Sequence, residues 1–433
     1  MSSKINIFWF RRDLRLEDNH GLFEALKSGN NVIPIFIFDK NILEKLQDKQ
    51  DARVTFIYDT IGSLKDKIQE FGSDLKVFYG KPKVVFEEII QNYAVEKVFA
   101  NHDYEPKAIA RDQQIQNLLS ANNIDFQTFK DHVIFEKSEI VKDDGKPYTV
   151  FTPYSKKWKL KWEVQKDTFY TSENETQNYL KTEKEPMPSL ESIGFERSNL
   201  IFPPKKVTQY IIKNYQENRD FPAKEGTSKL GIHFRFGTIS IREKAKKAAL
   251  ISETYLNELI WRDFYAQILF HFPNVEKSSF RREYDNIEWV NDENEFKLWC
   301  EGKTGYPIVD AGMRELNATG YMHNRVRMVV ASFLTKHLLI DWRWGEAYFA
   351  EKLLDFDLAS NNGGWQWAAG CGTDAAPYFR IFNPTAQQEK FDKNFEYIKK
   401  WIPEFGTNSY PKPIVEHNLA RERCLEVYKK GIK

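Results

Sequence analysis

Four stretches of this chain combine residue types that an ordinary core does not need. Between Asp355 and Pro377, the residues Asp355, Asp357, Asn361, Asn362, Gly363, Gly364, Trp365 and Trp367 crowd together. Glycine lets a backbone approach a ligand closely. Asp and Asn offer acceptors and donors to the edge of a heterocycle, and Trp offers a stacking surface. In Tyr255–Tyr265, the residues Glu258, Trp261, Arg262 and Tyr265 fall at i, i+3, i+4 and i+7, so one helical face carries a carboxylate, a guanidinium and two aromatic rings. The rest of that helix is largely apolar and is expected to be buried, where polar groups need partners. The face is either an internal Glu–Arg pair or a pocket wall that stacks on a flat substrate and hydrogen-bonds its edge. In Gly320–Met328, the residues Asn324, Arg327 and Met328 share a face, with Met either filling a core or supplying the apolar contact of a polar pocket. His323 beside them reads as a structural histidine. Finally, Glu225-Gly-Thr-Ser-Lys-Leu-Gly231 sets glycines, Thr227, Ser228 and Lys229 ahead of a helical region. Such a loop can cradle phosphate, though the same residues also build plain turns and caps.

Elements must hold these groups in place. The first part of the chain alternates β-rich runs (Ile5–Phe10, Val32–Phe38, Leu75–Phe78, Lys97–Ala100, Phe126–Phe129) with helical spacing over Arg53–Phe71 and Lys83–Tyr93. This alternation predicts an α/β domain with a parallel, Rossmann-like sheet over residues 1–131. No G-x-G-x-x-G follows the first run, so a dinucleotide is not expected at the usual place there. Over residues 132–204 the pattern weakens, and the polar segment Lys166–Pro188 predicts a long connection across the surface. Dense apolar positions over Leu256–Phe272, Tyr306–Ala318, Asn324–Leu339 and Trp344–Leu354 predict an all-helical domain over residues 205–433, which would carry all four constellations.

Composition bounds the function classes. At 433 residues the chain suits two or three domains of roughly 100–200 residues each. It has no apolar run of about 18 residues, so no membrane helix is expected. Met1–Phe10 reads as a short apolar strand rather than a leader peptide, and Lys429–Lys433 as a solvated tail. Cys300, Cys371 and Cys424 lack metal-ligand spacing, so no metal is expected, and they fit a reducing, cytoplasmic compartment. The net charge of +1 leaves nucleic acid open, because a local basic surface suffices. With 11 Trp, 20 Tyr and 33 Phe the chain has aromatic rings for both a core and a stacking surface.

Asn361-Asn-Gly-Gly-Trp-Gln-Trp-Ala-Ala369 resembles the photolyase/cryptochrome family. So do Phe8-Trp-Phe-Arg-Arg-Asp-Leu-Arg-Leu16, Arg380-Ile-Phe-Asn-Pro-Thr385 and Pro413-Ile-Val-Glu-His417, and the likeness covers nearly the whole chain. Within the family it looks most like the microbial, class I-like enzymes that repair cyclobutane pyrimidine dimers. The resemblance implies an α/β domain for an antenna chromophore and a helical domain holding one FAD, active in its reduced form. It implies that Tyr215 and Thr227, Ser228, Lys229, Leu230 and Gly231 surround the FAD phosphates, and that Asp355, Phe356, Asp357 and Asn361 lie at the flavin and ribose. Trp365, Trp342 and Trp289 would carry electrons. Glu258, Trp261, Asn324, Met328 and Trp367 would wall the lesion pocket, with Arg219, Arg262, Tyr265, Arg325 and Gln387 at or near the DNA surface. The implied partner is dimer-containing DNA, bound by a monomer.

Three departures refine the resemblance. Folate-carrying members would have an Asn-Glu pair where Lys107-Ala108 stands in Tyr104–Asp112, so a folate, a deazaflavin, a second flavin or no antenna all stay open. A blue-light receptor of the plant type would carry Asp at Asn361 and a long extension beyond Lys433. An enzyme for (6-4) photoproducts would pair two histidines where His323-Asn324 stands.

Overall fold

The computed structural model describes residues 4–433. Five strands, β1 (Ile5–Phe10), β2 (Val32–Asp39), β3 (Lys76–Gly80), β4 (Val95–Asn101) and β5 (Asp125–Phe129), form one parallel sheet in the order β3-β2-β1-β4-β5. Phe8 of β1 pairs with Pro34 on one side and Phe99 on the other. Every residue of β1 is buried. A parallel strand covered on both faces reads as an unbroken apolar run, which is why the sequence marks it clearly. All five expected runs are strands, with no end displaced by more than two residues; Met1–Ser3 lie outside the described residues. Helices α1 (His20–Leu26), α2 (Ala52–Glu70), α3 (Pro82–Asn92) and α4 (Pro106–Ala121) alternate with the strands. Pro82 and Pro106 open α3 and α4, where a missing N–H costs nothing.

Strand order reverses between β1 and β4, the point of an open α/β sheet where ligands commonly bind. Here the side chains at the strand ends satisfy one another. Arg12 Nη1 donates to Asp103 at 3.1 Å and to Glu105 at 2.8 Å, Arg11 Nη1 donates to Asp112 at 2.5 Å, and Asn101 Nδ2 donates to Asp13 at 2.6 Å. They leave a cavity of about 10 Å³, lined by Arg11, Arg12, Asn101, Asp103 and His132 among others. Deeper in the same unit, Arg15 and Arg242 both donate to Asp131, at 2.8 and 2.6 Å, and Arg242 also reaches Asp18 at 2.9 Å. Burial alone would raise the Asp131 carboxyl, but the two guanidinium groups hold it down at about 2.

The chain divides into two compact units, and not at the expected boundaries. One comprises everything described up to Glu136, with Lys161–Lys205 and Leu230–Lys247; the other comprises Lys137–Leu160, Lys206–Lys229 and Ala248–Lys433. The expected connection over 132–204 is thus partly built into each. It buries Tyr154, Trp158, Tyr179, Leu190 and Phe195, contains helix α5 (Phe151–Gln165), and lays Leu180 N–H on the Val32 carbonyl of β2 at 2.9 Å. Buried aromatics scattered among polar residues give no periodic signal, which is why this stretch reads as a surface connection.

The second unit is helical. Its main elements here are α6 (Glu253–His271), α7 (Pro307–Thr319), α8 (Asn324–Ser332), α9 (Trp342–Lys352), α10 (Leu358–Ala369) and α11 (His417–Gly431). The expected helix over Asn324–Leu339 is shorter: α8 gives way to a π turn at Phe333–His337. α10 packs against α6, α8 and α9, and a core including Trp299, Val330, Phe333, Trp342 and Trp365 surrounds it.

Candidate active site

The residues singled out in α6, α8 and α10 occupy the open faces of three helices, of which α6 and α8 both pack on α10. On α6, Leu256, Leu259, Ile260, Phe264 and Ile268 are buried, whereas Glu258, Trp261, Arg262 and Tyr265 are half-buried. On α8, Val326, Val329 and Val330 are buried, Asn324 is exposed, and Arg325, Arg327 and Met328 are half-buried. On α10, Asn362, Trp365 and Gln366 are buried, Gly364 is exposed, and Asn361 and Trp367 are half-buried. Two glycines explain how α10 sits. A Cβ on Gly363 would fall 2.2 Å from the Tyr265 ring, so only glycine lets α10 close on α6 there. A Cβ on Gly364 would meet nothing within 4 Å. The open stripe Asn361–Gly364–Trp367 is thus a shallow cradle with a polar amide at one end and an indole at the other.

Local caps set these faces. The Asp357 carboxylate accepts from Ser360 N–H at 3.1 Å and starts α10, and Gly370 ends it at φ +88°. The His323 ring accepts from Arg325 N–H at 3.1 Å and caps α8, the structural part expected of it. Burial holds that imidazole at about 4, with Asp220 opposing, so the ring is neutral. Its Nε2 is buried without a hydrogen-bond partner.

Polar groups around the faces pair across short distances. Arg219 forms an ion pair with Glu258 and lies over the Tyr215 ring. Burial pushes the Glu258 carboxyl above its ordinary range, and the Arg219 charge works against that rise. Arg327 donates to Asp355 at 3.0 Å and to the Met322 carbonyl at 2.8 Å. Asn361 Nδ2 donates to the Glu346 carboxylate at 2.8 Å and to its backbone carbonyl at 3.1 Å. Arg325 donates to Asp220 at 2.7 Å and lies over Phe391. In the loop before the short helix Gly231–Arg235, Thr227 Oγ1 is 3.1 Å from the Tyr321 hydroxyl, Ser228 Oγ accepts from Tyr255 Oη at 3.0 Å, and Lys229, at φ +51°, reaches Glu225 at 3.0 Å. Leu230 and Gly231, which begin the short helix Gly231–Arg235, are counted with the other unit.

Not every expected residue joins this cluster. Phe356 packs on the helical core, and Gln387 lies half-buried on the separate helix Pro384–Phe391. Trp365, Trp342 and Trp289 sit in or against one core, but none is a ring neighbour of another. Trp365 meets Trp299 at 6.1 Å and Phe349 at 5.0 Å, and Trp289 meets Tyr428 at 5.8 Å. A Cβ on Gly345 would fall 2.1 Å from the Trp365 ring, so that indole fills the space glycine leaves. Sequence reasoning missed Glu346, Tyr255, Tyr321 and Phe151. Glu346 and Tyr255 are ordinary partners on helices and Tyr321 one in the turn before α8, so none carries a composition signal, and Phe151 reaches Trp261 from far along the chain.

Comparison with known proteins decides what this arrangement belongs to. Residues 6–172 match the family model described as DNA photolyase, and residues 255–408 match the FAD binding domain of DNA photolyase. A deoxyribodipyrimidine photo-lyase of Halobacterium salinarum is 36% identical over 99% of this chain and 99% of its own. The chain belongs to the DNA photolyase family. Two photolyase structures share its fold: a bacterial class III photolyase from Agrobacterium tumefaciens (TM-score 0.86, 32% identity, 100% of this chain and 98% of the other) and an archaeal photolyase from Sulfolobus tokodaii holding two FAD molecules (TM-score 0.82, 36% identity, 98% and 99%). The donor set of this photolyase-family chain suits FAD. Hydroxyls at Thr227 and Ser228 with the Lys229 ammonium match phosphates, the carboxylates Asp355 and Asp357 match ribose hydroxyls, the Asn361 amide matches a heterocycle edge, and the bare Gly364 cradle leaves room for a flat ring.

Proposed function

We propose that this protein is a light-driven carbon–carbon lyase that uses FAD to split cyclobutane pyrimidine dimers in DNA, working as a monomer in the cytoplasm. The observation that carries the reading is the set of half-open faces on α6, α8 and α10, each pairing a polar hydrogen-bonding group with an apolar or aromatic one. When bound and reduced, FAD supplies on excitation one electron that opens the cyclobutane ring and is then returned.

The chain's own residues bind, orient and stabilise. A cyclobutane dimer stacks poorly in the duplex, so extruding it costs less than extruding a normal base; photolyases are among the known cases of such flipping. Trp261 and Trp367 grip the extruded dimer by aromatic contact, with Met328 beside them, and Asn324 hydrogen-bonds its carbonyl and imide edge. Glu258 acts as a donor only while protonated, because an ionised carboxylate is acceptor-only. Burial favours the protonated form and the Arg219 charge opposes it; where the carboxyl carries its proton, negative charge developing on the dimer is met by an O–H and by the neighbouring Arg219. Trp365, Trp342 and Trp289 carry electrons through the core they share. Arg219, Arg262, Tyr265, Arg325 and Gln387 contact DNA, and the phosphate contacts among them make binding weaken with salt. Any second chromophore belongs to the α/β unit; at the β1/β4 switch point the interlocked Arg11, Arg12 and Asp103 leave it no room without side-chain movement.

The experiment is illumination of an oligonucleotide carrying one thymine dimer, with reduced flavin and a dark control. Light-dependent loss of the dimer, with (6-4) lesions untouched, is the expected result. Dimers that persist in the light would move the protein to a photoreceptor reading, and repair of (6-4) lesions would mean that His323-Asn324 serves the chemistry of paired histidines.

A further inference from the structure

Phe151, the first residue of α5, lies on Trp261 with ring centroids 3.8 Å apart and planes 3° from parallel. Aromatic pairs left to themselves prefer offset or edge-on geometry with centroids roughly 4.5–7 Å apart. Trp261 makes contacts of that ordinary kind with Phe264 (5.5 Å, 82°) and Tyr265 (5.4 Å, 33°). A close face-to-face pair needs something to hold it. Two hydrogen bonds do: Phe151 N–H donates to Asp374 Oδ2 at 3.1 Å, and Thr373 Oγ1 donates to the Thr149 carbonyl at 2.7 Å. Asp374 adopts φ +48°, a left-handed conformation that Asp tolerates better than most residues. Thr373 and Asp374 follow closely on Gly370, the cap of α10, and α10 carries Trp367. The turn that ends one wall of the site therefore pins the residue that covers one face of Trp261 on the other wall.

We infer that Phe151 is a positioning residue for substrate recognition: it holds the Trp261 indole in the orientation that grips the extruded dimer, and Asp374 and Thr373 hold Phe151. The inference rests on the reading of Trp261 given under the proposed function. Its physical basis is preorganisation. An indole already fixed on one face loses little further freedom when substrate meets the rest of its surface, and the usual ordering cost at binding is removed. Because Phe151 touches Trp261 and is not assigned to the dimer itself, its effect should be confined to lesion recognition.

The test measures the affinity of the FAD-loaded, reduced protein in the dark for a duplex with one thymine dimer and for the same duplex undamaged. Four variants are compared: Phe151→Leu, Phe151→Ala, Phe151→Tyr and Trp261→Ala. Phe151→Leu and Phe151→Ala are expected to weaken dimer binding about three- to tenfold with undamaged affinity and FAD content unchanged, and Phe151→Tyr, which keeps a planar ring, to restore it. Should Phe151→Ala fail to fold, Phe151→Leu, which keeps apolar volume without a ring, decides alone. The inference is overturned if Trp261→Ala loses dimer affinity while Phe151→Leu does not, or if the Phe151 variants weaken damaged and undamaged DNA alike. If Trp261→Ala itself leaves dimer affinity intact, the pocket reading fails and takes this inference with it, a result distinct from the other two.

Discussion

At the strand ends of the α/β unit, Arg12 donates to both Asp103 and Glu105, Arg11 to Asp112, and Asn101 to Asp13, and the space left over is about 10 Å³. On α6, α8 and α10 of the helical unit, a similar density of charged and aromatic groups stays half-open, and the bare Gly364 faces free space. Both regions look functional by residue type alone. What separates them is closure: charges pair within the chain in both regions, but in the first the pairs fill the space between them, while in the second they leave aromatic faces and polar edges half-open. Polar residues that satisfy one another hold a fold together; polar residues left half-exposed beside aromatics are available to something else.

The largest expected effect tests the buried charges deeper in the α/β unit. Arg242→Ala would leave the buried Asp18 without its guanidinium and Asp131 with Arg15 alone, and breaking a buried pair from one side typically costs about 3–5 kcal/mol. Denaturant melts should show a loss of that size, while repair per bound flavin in the remaining folded protein stays unchanged. A loss under about 1 kcal/mol, the range of exposed pairs, would mean these charges are not buried as described.

Acid should reach the two units at different pH. His337 in the π turn is buried, bonds His417 at 2.9 Å, and is held at about 3 by burial. The ordinary imidazole value is 6.5, so between the two the unfolded chain binds a proton the folded one refuses, and stability falls as pH drops through that window. The slope is at most about 1.4 kcal/mol per pH unit. Raised carboxyls such as Glu258 and Glu315 run the opposite way, so the histidine's share is read as the difference between the parent protein and His337→Phe, whose stability should depend less on pH. Asp131 in the α/β unit, held at about 2 against an ordinary 3.8, contributes stability that is present above 3.8 and lost only as pH falls toward 2. Equal slopes in parent and His337→Phe would contradict the assignment.

The open region is tested by Trp261→Ala. It should weaken binding to dimer-containing DNA by about 1–3 kcal/mol, the worth of an aromatic–base contact, and leave undamaged duplex nearly unaffected. Smallest of all is the effect at the cradle. Gly364→Ala introduces a Cβ with nothing within 4 Å, and a helical Gly→Ala change gains about 0.5–1 kcal/mol. The variant should therefore be slightly more stable than the parent when both are flavin-free, yet retain less FAD when both are loaded, measured as chromophore released on denaturation. Gly363→Ala, whose Cβ would meet the Tyr265 ring, should destabilise the fold instead. If both alanines behave alike, the cradle has been misplaced.

What the sequence disclosed depends on whether a feature is periodic. β1 and β2 were legible as runs of apolar residues, the shorter β3, β4 and β5 as β-rich stretches between helical ones, and α6 because Glu258, Trp261, Arg262 and Tyr265 interrupt an apolar helix at one spacing. The same spacing could not say whether Glu258 met Arg262, its neighbour one turn away, or Arg219 from outside the helix; the structure gives Arg219. The segment over 132–204 was misjudged because its buried rings, Trp158 and Tyr179 among them, follow no period. Phe151 was invisible for a related reason: its value lies in a contact with a residue more than a hundred positions away, which no local pattern records.

The division of the chain into interleaved stretches also governs how the protein can be made. The α/β unit takes in Lys161–Lys205 and Leu230–Lys247 in addition to the N-terminal stretch. A ribosome therefore cannot release a finished α/β unit when β5 emerges at Phe129; that unit is complete only after Lys247 has left the exit tunnel. Arg242, which closes the buried pairs to Asp18 and Asp131, is among the last residues it needs. Until then Asp18 lacks its guanidinium and Asp131 has Arg15 alone, and a fragment truncated between Phe129 and Arg242 would keep the sheet's strands but lack their lock.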